Sequence, residues 1–397
     1  MFAKAHLQAA IKLVTGYKGE MPFVHYLKQY FSTNKKHGSR DRKQIAQLCY
    51  CWFRLGHSLN NVPGEERMII ALFLCSECPN PLLASLHPEW NESAGLPVEE
   101  KISLLPPDIF NFPLTIFPWI SQLSEGIDPL KFSFSHLQQP DLFLRIRPGY
   151  RDAILRKLNK IGQAYTLEGD LCLRLPNGFK VEDQFVLNRE VVVQDLSSQR
   201  VGDLIDLVSP GLRAMEDARV WDCCAASGGK TLLAFDRMPG LNFTVTDIRN
   251  SILQNLFQRF RQAGIYSYDG FVADLSKESL SEIGESFLNL PLQNLIIADV
   301  PCSGSGTWSR TPEQLCFFKE SAVTDYSELQ KKIISNAVRK LAPGGHFLYI
   351  TCSVFHAENE ANVEFLTRQH GLKLMESRII KGYTQKADTM FAAMLHN

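Results

Sequence analysis

Apolar residues recur at helical spacing through Ile45, Leu48, Cys49, Trp52 and Phe53, and again over 68–73, which predicts helices across residues 1–77. The stretch 38–54 runs basic and then apolar, with Ser39 as the expected N-cap. Residues 79–135 hold nine prolines and predict short helices interrupted by proline and leading into a linker. The period then changes. Residues 141–147 alternate like a strand, 151–161 have helical spacing at Ile154, Leu155, Leu158 and Ile161, and 165–175 alternate about a Gly169-Asp170 turn. This predicts a small strand–helix–hairpin module, its first strand carrying arginines that could face RNA or merely form a spacer. From about Val186, strands (219–223, 243–247, 270–274, 295–300 and 346–352) alternate with helices (229–237, 251–263 and 326–341). That alternation predicts βαβ units and a parallel sheet, with 390–395 as an antiparallel addition.

One strand of this set ends unusually. Leu295-Ile296-Ile297-Ala298 reads as buried, ends in Asp299, and turns through Val300-Pro301-Cys302-Ser303-Gly304. An acid, a proline and a thiol make a poor cap and a good reactive edge. Ligands of open α/β sheets bind outside the carboxyl ends of the strands.

Composition changes this picture little. The 397 residues are 45% apolar and 21% charged, enough for two or three domains. The absence of a long apolar run or a signal-peptide pattern predicts a cytoplasmic protein without membrane contact. The ten cysteines then read as reduced thiols. Cys75-x-x-Cys78 has no second Cys/His pair at zinc spacing, and no metal is expected. Net charge is zero, which speaks against a general polyanion binder, but its distribution is uneven. Residues 1–60 hold ten Lys/Arg against two acids, and residues 131–160 seven against two. Such local excess can steer a nucleic acid or simply form a solvated helix face.

The glycine turn at Cys223-Cys224-Ala225-Ala226-Ser227-Gly228-Gly229-Lys230-Thr231 closes one strand and opens a helix. It suits a carboxylate or phosphate at a helix N-terminus. It is not a P-loop, because Cys224 stands where the leading glycine belongs. Asp247 ends the next strand, about 20 residues on, where ribose hydroxyls are held in such folds. Asp274 is another acid at an expected strand end, placed for an adenine amino group. Each acid alone could be a helix cap. In order after one glycine turn, with Asp299, they point to S-adenosylmethionine or a nucleotide. Cys302 and Cys352 add two thiols at strand exits. A lone cysteine in a strand is usually a small buried hydrophobe. Beside a methyl donor, a thiolate can add to carbon 6 of a pyrimidine and make carbon 5 nucleophilic. That chemistry needs a cysteine and a nearby acid.

These motifs, in order and spacing, resemble the Sun/RsmB/Nop family of RNA (cytosine-5) methyltransferases, from about Gln194 to the C-terminus. The Asp-x-Pro-Cys-Ser-Gly loop and the Thr-Cys-Ser-x-x-x-x-Glu-Asn-Glu run at 351–360 carry the match, with the lead-in at 194–199. Residues 40–54 resemble the NusB-like domain of RsmB-type members, and 141–185 their RRM-like module. The resemblance implies a Rossmann-like class I methyltransferase domain with a mostly parallel seven-stranded sheet at 186–397. An all-α NusB-like domain with a proline-rich linker (1–125) and an RRM-like α+β module (126–185) precede it. It implies S-adenosylmethionine as cofactor and RNA as partner, with the chain a monomer. Cys352 is implied as nucleophile, Cys302 as the group that helps release product, Asp299 as a contact to the cytosine edge, and Lys230 as a group near donor or base. Cys224, Ala225, Ala226, Ser227, Gly228, Gly229 and Lys230 are implied at the methionine part, Asp247 and Arg249 at the ribose, Asp274 at the adenine, and Asp299 and Pro301 beside the donor. Ser227 departs from the family's proline. Ser309-Arg310-Thr311-Pro312-Glu313 keeps one of two arginines usual before Pro-Glu.

The implied activity is methylation of carbon 5 of a cytosine in RNA through a covalent cysteine adduct, with 16S ribosomal RNA the expected substrate. Transfer RNA is the rival substrate. A non-catalytic ribosome-assembly factor is the rival class, and retention of both cysteines and Asp299 argues against it. Exocyclic-amine methyltransferases use a different loop, which Val300-Pro301-Cys302-Ser303 does not fit.

Overall fold

The helical periodicity of the first 77 residues becomes four helices, α1 (Phe2–Gly16), α2 (Phe23–Thr33), α3 (Ser39–Arg54) and α4 (Gly64–Cys75). In this computed structural model, residues 2–106 and 115–397 are described; Pro107 and Pro113 of the proline-rich stretch lie outside the described residues. Ile45, Leu48, Cys49 and Phe53 give α3 its buried face. Ser39 is not the cap of α3 but its first residue. Gly38 takes the cap position, and the Asp41 carboxylate accepts its N–H at 3.0 Å. An acid in the first turn satisfies that donor and complements the helix dipole, so no hydroxyl cap is needed.

Prolines beyond residue 79 start helices more often than they break them. Of α5 (Pro81–Leu86), α6 (Pro88–Glu92), α7 (Val98–Ser103) and α8 (Pro129–Ser135), three begin on proline. Proline at the first helical position forfeits no intrahelical bond. These helices belong to a compact unit made of Met1–Ser121, Asp128–Gln139 and Thr307–Lys319; a second unit holds Gln122–Ile127, Pro140–Gly306 and Glu320–Asn397.

The second unit opens with the small module. Strand β1 (Leu142–Ile146), helix α9 (Arg151–Lys160) and strands β2 (Thr166–Leu167), β3 (Cys172–Leu175) and β4 (Val191–Val193) form an antiparallel sheet in the order β2-β3-β1-β4. Its edge strand β4 comes from beyond residue 185. After α10 (Leu196–Arg200) and α11 (Gly202–Arg213) the alternation predicted from sequence begins: β5 (Arg219–Asp222), α12 (Gly229–Arg237), β6 (Asn242–Asp247), α13 (Asn250–Ala263), β7 (Asp269–Val272), α14 (Leu280–Ile283), α15 (Glu285–Leu288) and β8 (Gln293–Asp299). Helix α16 (Pro312–Phe317) lies in the helical unit. The second unit resumes with α17 (Ser321–Val338), β9 (Leu341–Thr351), α18 (Glu360–His370), β10 (Lys373–Ile380) and β11 (Met390–His396).

The seven strands are ordered β10-β11-β9-β8-β5-β6-β7. β5 through β9 run parallel, and β11 pairs antiparallel with β9 and β10. Strand β8 shows why its sequence is an unbroken apolar run. Ile296 and Ala298 enter one core cluster and Leu295 and Ile297 another, so both faces of the strand are covered.

Arg145 of β1 and Arg147, just after it, face inward. Arg145 pairs with Asp236 of α12, and Arg147 Nη2 reaches the same carboxylate at 2.6 Å. Arg147 also donates to the carbonyl of Ala263 at 2.6 Å. The RNA-facing role considered for these two residues is therefore corrected: they are buried and fasten the small module to the α12–α13 layer. Asp236→Ala leaves two buried guanidinium groups without their counter-charge. It is expected to destabilise the protein by about 3–5 kcal/mol, read as a lowered urea midpoint; an unchanged midpoint would show the pairs to be incidental.

Candidate active site

The order of strands reverses between β5 and β8, since the chain proceeds outward through β6 and β7 on one side and through β9 on the other. A crevice opens outside the carboxyl ends at such a switch point. Most of the residues singled out from sequence gather there.

The turn after β5 is built by backbone geometry. Ala226 and Gly228 both have positive φ, 45° and 80°. A Cβ on Gly228 would lie 3.1 Å from Leu256 and Phe260, so this position requires glycine for space as well as φ. The Ala226 N–H donates to Asp247 Oδ2 at 3.1 Å, which ties the turn to the end of β6. Ser227 hands its carbonyl to Arg259 at 2.9 Å. The polar side chain standing where proline is usual thus lies beside a guanidinium.

Asp247 is buried and accepts from Arg249 N at 2.9 Å and Nε at 3.1 Å. Asp274 lies past β7, which ends at Val272 rather than at the acid. Its Oδ1 accepts from Ser276 N (3.0 Å) and Oγ (2.5 Å). Burial opposes its ionisation, but Ser276 and Lys277 outweigh that and hold it below the usual carboxylate range. Asp299 is the last residue of β8, and Lys230 Nζ bridges its Oδ2 (3.1 Å) and Ser198 Oγ (2.8 Å).

A cavity of about 290 Å³ runs along this edge, lined by Cys224, Ala226, Asp247, Arg249, Asp274, Asp299 and Pro301 among the residues named from sequence. Leu275, Leu329 and Ile333 give it an apolar wall that sequence reasoning did not name. Ala225, Ser227, Gly228, Gly229 and Lys230 shape the turn without lining the cavity, and Lys230 reaches the edge through Asp299.

Cys302 and Cys352 leave the adjacent parallel strands β8 and β9, and their sulfurs lie 3.3 Å apart. The bond to Cys352, and then burial, pushes the Cys302 thiol well up. Both are half-buried.

What holds the thiols is a residue whose role was not read from sequence. Glu358 is fully buried. It accepts from Ser303 N at 2.8 Å, Ser303 Oγ at 2.5 Å, Gln330 Nε2 at 3.2 Å and the Ser353 hydroxyl. Ser303 and Ser353 each follow one of the cysteines, so one carboxylate fixes both loops. Burial pushes its pKa up, against these donors. Gly306 closes the arrangement. Its N–H donates to the Cys352 carbonyl at 2.9 Å, and a Cβ there would meet Thr389 O at 2.0 Å. Asp222, at the end of β5, was also missed. Burial pushes it up to about 7, opposed by a 2.6 Å bond from Thr231 Oγ1.

A seven-stranded, largely parallel sheet with a ligand-sized cleft and acids at its carboxyl edge defines a Rossmann-like methyltransferase domain. Residues 211–395 match the family described as 16S rRNA methyltransferase RsmB/F. It is 33% identical over 180 residues to ribosomal RNA small subunit methyltransferase B of Xylella fastidiosa, covering 45% of this chain and 39% of that one. It is 31% identical over 191 residues to tRNA (cytosine(72)-C(5))-methyltransferase NSUN6 of Mus musculus, covering 46% and 38%. The matched stretch thus spans about two fifths of these curated relatives. A solved structure described as NSun6 from Pyrococcus horikoshii with SFG superposes with a TM-score of 0.56 at 13% identity, over 70% of this chain and 96% of that one, a likeness of fold.

Proposed function

We propose that this protein transfers a methyl group from S-adenosylmethionine to carbon 5 of a cytosine in RNA, with small-subunit ribosomal RNA as substrate. The observation that carries the reading is the pair of thiols 3.3 Å apart beside an acid-lined cavity. The name of the Xylella fastidiosa relative supports the ribosomal substrate. That of the mouse relative favours transfer RNA as a second reading.

The donor set fits the cofactor. Asp247 lines the cavity, and the exposed Arg249 side chain that now bonds it can yield to ribose hydroxyls; Asp274 is an ionised acceptor, and the apolar wall at Leu275 and Ile333 suits an adenine ring. When bound, S-adenosylmethionine supplies an electrophilic methyl group. The remaining chemistry belongs to this chain. Cys352, as thiolate, adds to carbon 6 of the cytosine, and the ring's carbon 5 gains the electron pair that attacks the methyl group. Asp299, with Lys230 on its other side, holds the base edge. Loss of the carbon 5 proton to a base restores the carbon 5–carbon 6 double bond and expels Cys352 as thiolate, and the Cys302 thiol, 3.3 Å from that sulfur, assists the release. The target base must be single-stranded or flipped out of a helix to reach the thiols.

The test is Cys302→Ala with the purified protein, S-adenosylmethionine and a small-subunit ribosomal RNA transcript. A protein–RNA adduct stable in denaturing gels is expected to accumulate through Cys352 and to vanish in Cys302→Ala/Cys352→Ala. Absence of any adduct counts against the two-thiol scheme. Bisulfite sequencing of RNA from cells with and without the gene identifies the base and separates the ribosomal from the transfer RNA reading.

A further inference from the structure

A second recess lies far from the thiols. It has a volume of about 590 Å³ and is lined by Arg147, Tyr150, Arg189, Asp236, Arg261 and Tyr266, among others. Topology fixes its place. Helix α12 leaves the carboxyl end of β5 and ends before β6 begins, and α13 likewise ends before β7. Asp236 and Arg261, near the ends of those helices, therefore lie at the amino edge of the sheet. The thiols lie at the opposite edge. β6, six residues long, separates the edges by roughly 20 Å.

The chemistry of this recess differs from that of the cofactor cleft. Asp236, its acid, is already matched by two arginines, Arg145 and Arg147. Glu190, next in sequence to Arg189, is held by Lys157 at 2.9 Å. Arg189 and Arg261 are exposed and form no salt bridge among the described residues. Arg189 stands beside the Tyr150 hydroxyl. Tyr266 is 77% exposed, far more than a tyrosine kept for packing. Exposed guanidinium groups outside any salt bridge, beside an exposed aromatic ring, fit a polyanion whose bases can stack. A simple anion would use the arginines and leave the ring idle.

We infer that this groove binds a single-stranded segment of the substrate RNA flanking the target, with Arg189 and Arg261 on phosphates and Tyr266 stacked on a base. This rests on the RNA reading given above. It adds a second contact that holds RNA across the width of the domain, several nucleotides from the reacting cytosine.

The test uses the full chain and measures RNA affinity against salt concentration, with a small-subunit ribosomal RNA transcript and with an oligoribonucleotide too short to span both edges. For the transcript, Arg189→Ala/Arg261→Ala is expected to reduce the slope of log K against log salt by nearly 2. Tyr266→Ala weakens binding about tenfold while Tyr266→Phe keeps it. The short RNA binds all variants alike. An unchanged slope, or equal losses on both RNAs, overturns the groove while wild-type binding leaves the RNA reading standing. A ring variant without effect, with arginine variants that matter, overturns the stacking site. Failure of the wild-type protein to bind either RNA sinks the RNA reading itself.

Discussion

Cys352→Ala is expected to abolish methyl transfer to RNA, by about 10⁴-fold or more, as for removal of other catalytic nucleophiles. Cofactor affinity should be unchanged, because Cys352 does not line the cavity that holds Asp247 and Asp274. Incorporation of labelled methyl groups and calorimetric binding of S-adenosylhomocysteine separate the two quantities. Cys302 lies 3.3 Å from the Cys352 sulfur, and that contact together with burial pushes its thiol well up, which disfavours Cys302 as the attacking thiolate. Turnover near that of the parent in Cys352→Ala would reverse the assignment.

Glu358→Ala is expected to damage both stability and rate. It leaves the Ser303 N–H without its acceptor and takes one partner each from the Ser303 and Ser353 hydroxyls and the Gln330 amide around a buried void. Removing a fully buried carboxylate from its donors costs about 3–5 kcal/mol. Because Ser303 and Ser353 then move independently, the sulfurs lose their register. Glu358→Gln keeps the volume and one accepting oxygen, so it should fold well and show a reduced kcat with cofactor affinity intact. A Glu358→Gln protein with the parent's turnover and pH profile would reduce Glu358 to a purely structural role.

The legible and illegible parts of this chain divide by the range of the interactions involved. The sheet was readable because each strand–helix alternation is local, and the apolar run at 295–298 states its own double burial. Asp247 and Asp299 were readable because they terminate such runs. Asp274 lies two residues beyond the strand end expected for it, since β7 stops at Val272 and serine and lysine neighbours, not the ladder, hold the acid. The Glu358 clamp joins residues 55 positions apart on one side and 5 on the other, so no window of sequence contains it. Arg145 and Arg147 announce charge but not destination. Asp236, about ninety positions away, decides that they turn inward. The cap at Gly38 shows the same limit on a small scale: Ser39 has the right chemistry, and Asp41 has the better geometry.

The helical unit is assembled from three stretches of chain, the last being Thr307–Lys319. That stretch places Trp308 and Leu315 in buried positions, and Glu313 accepts the Phe23 N–H at 3.3 Å. During synthesis, then, the amino-terminal helices wait. Their final packing partners leave the ribosome only after β1 through β8 have been made. A chain whose first-made part is finished so late has a long-range closure built into its folding, a feature that slows folding and exposes apolar surface meanwhile. Order of emergence, and not only position in the finished molecule, sets when the loop after Cys302 becomes anchored.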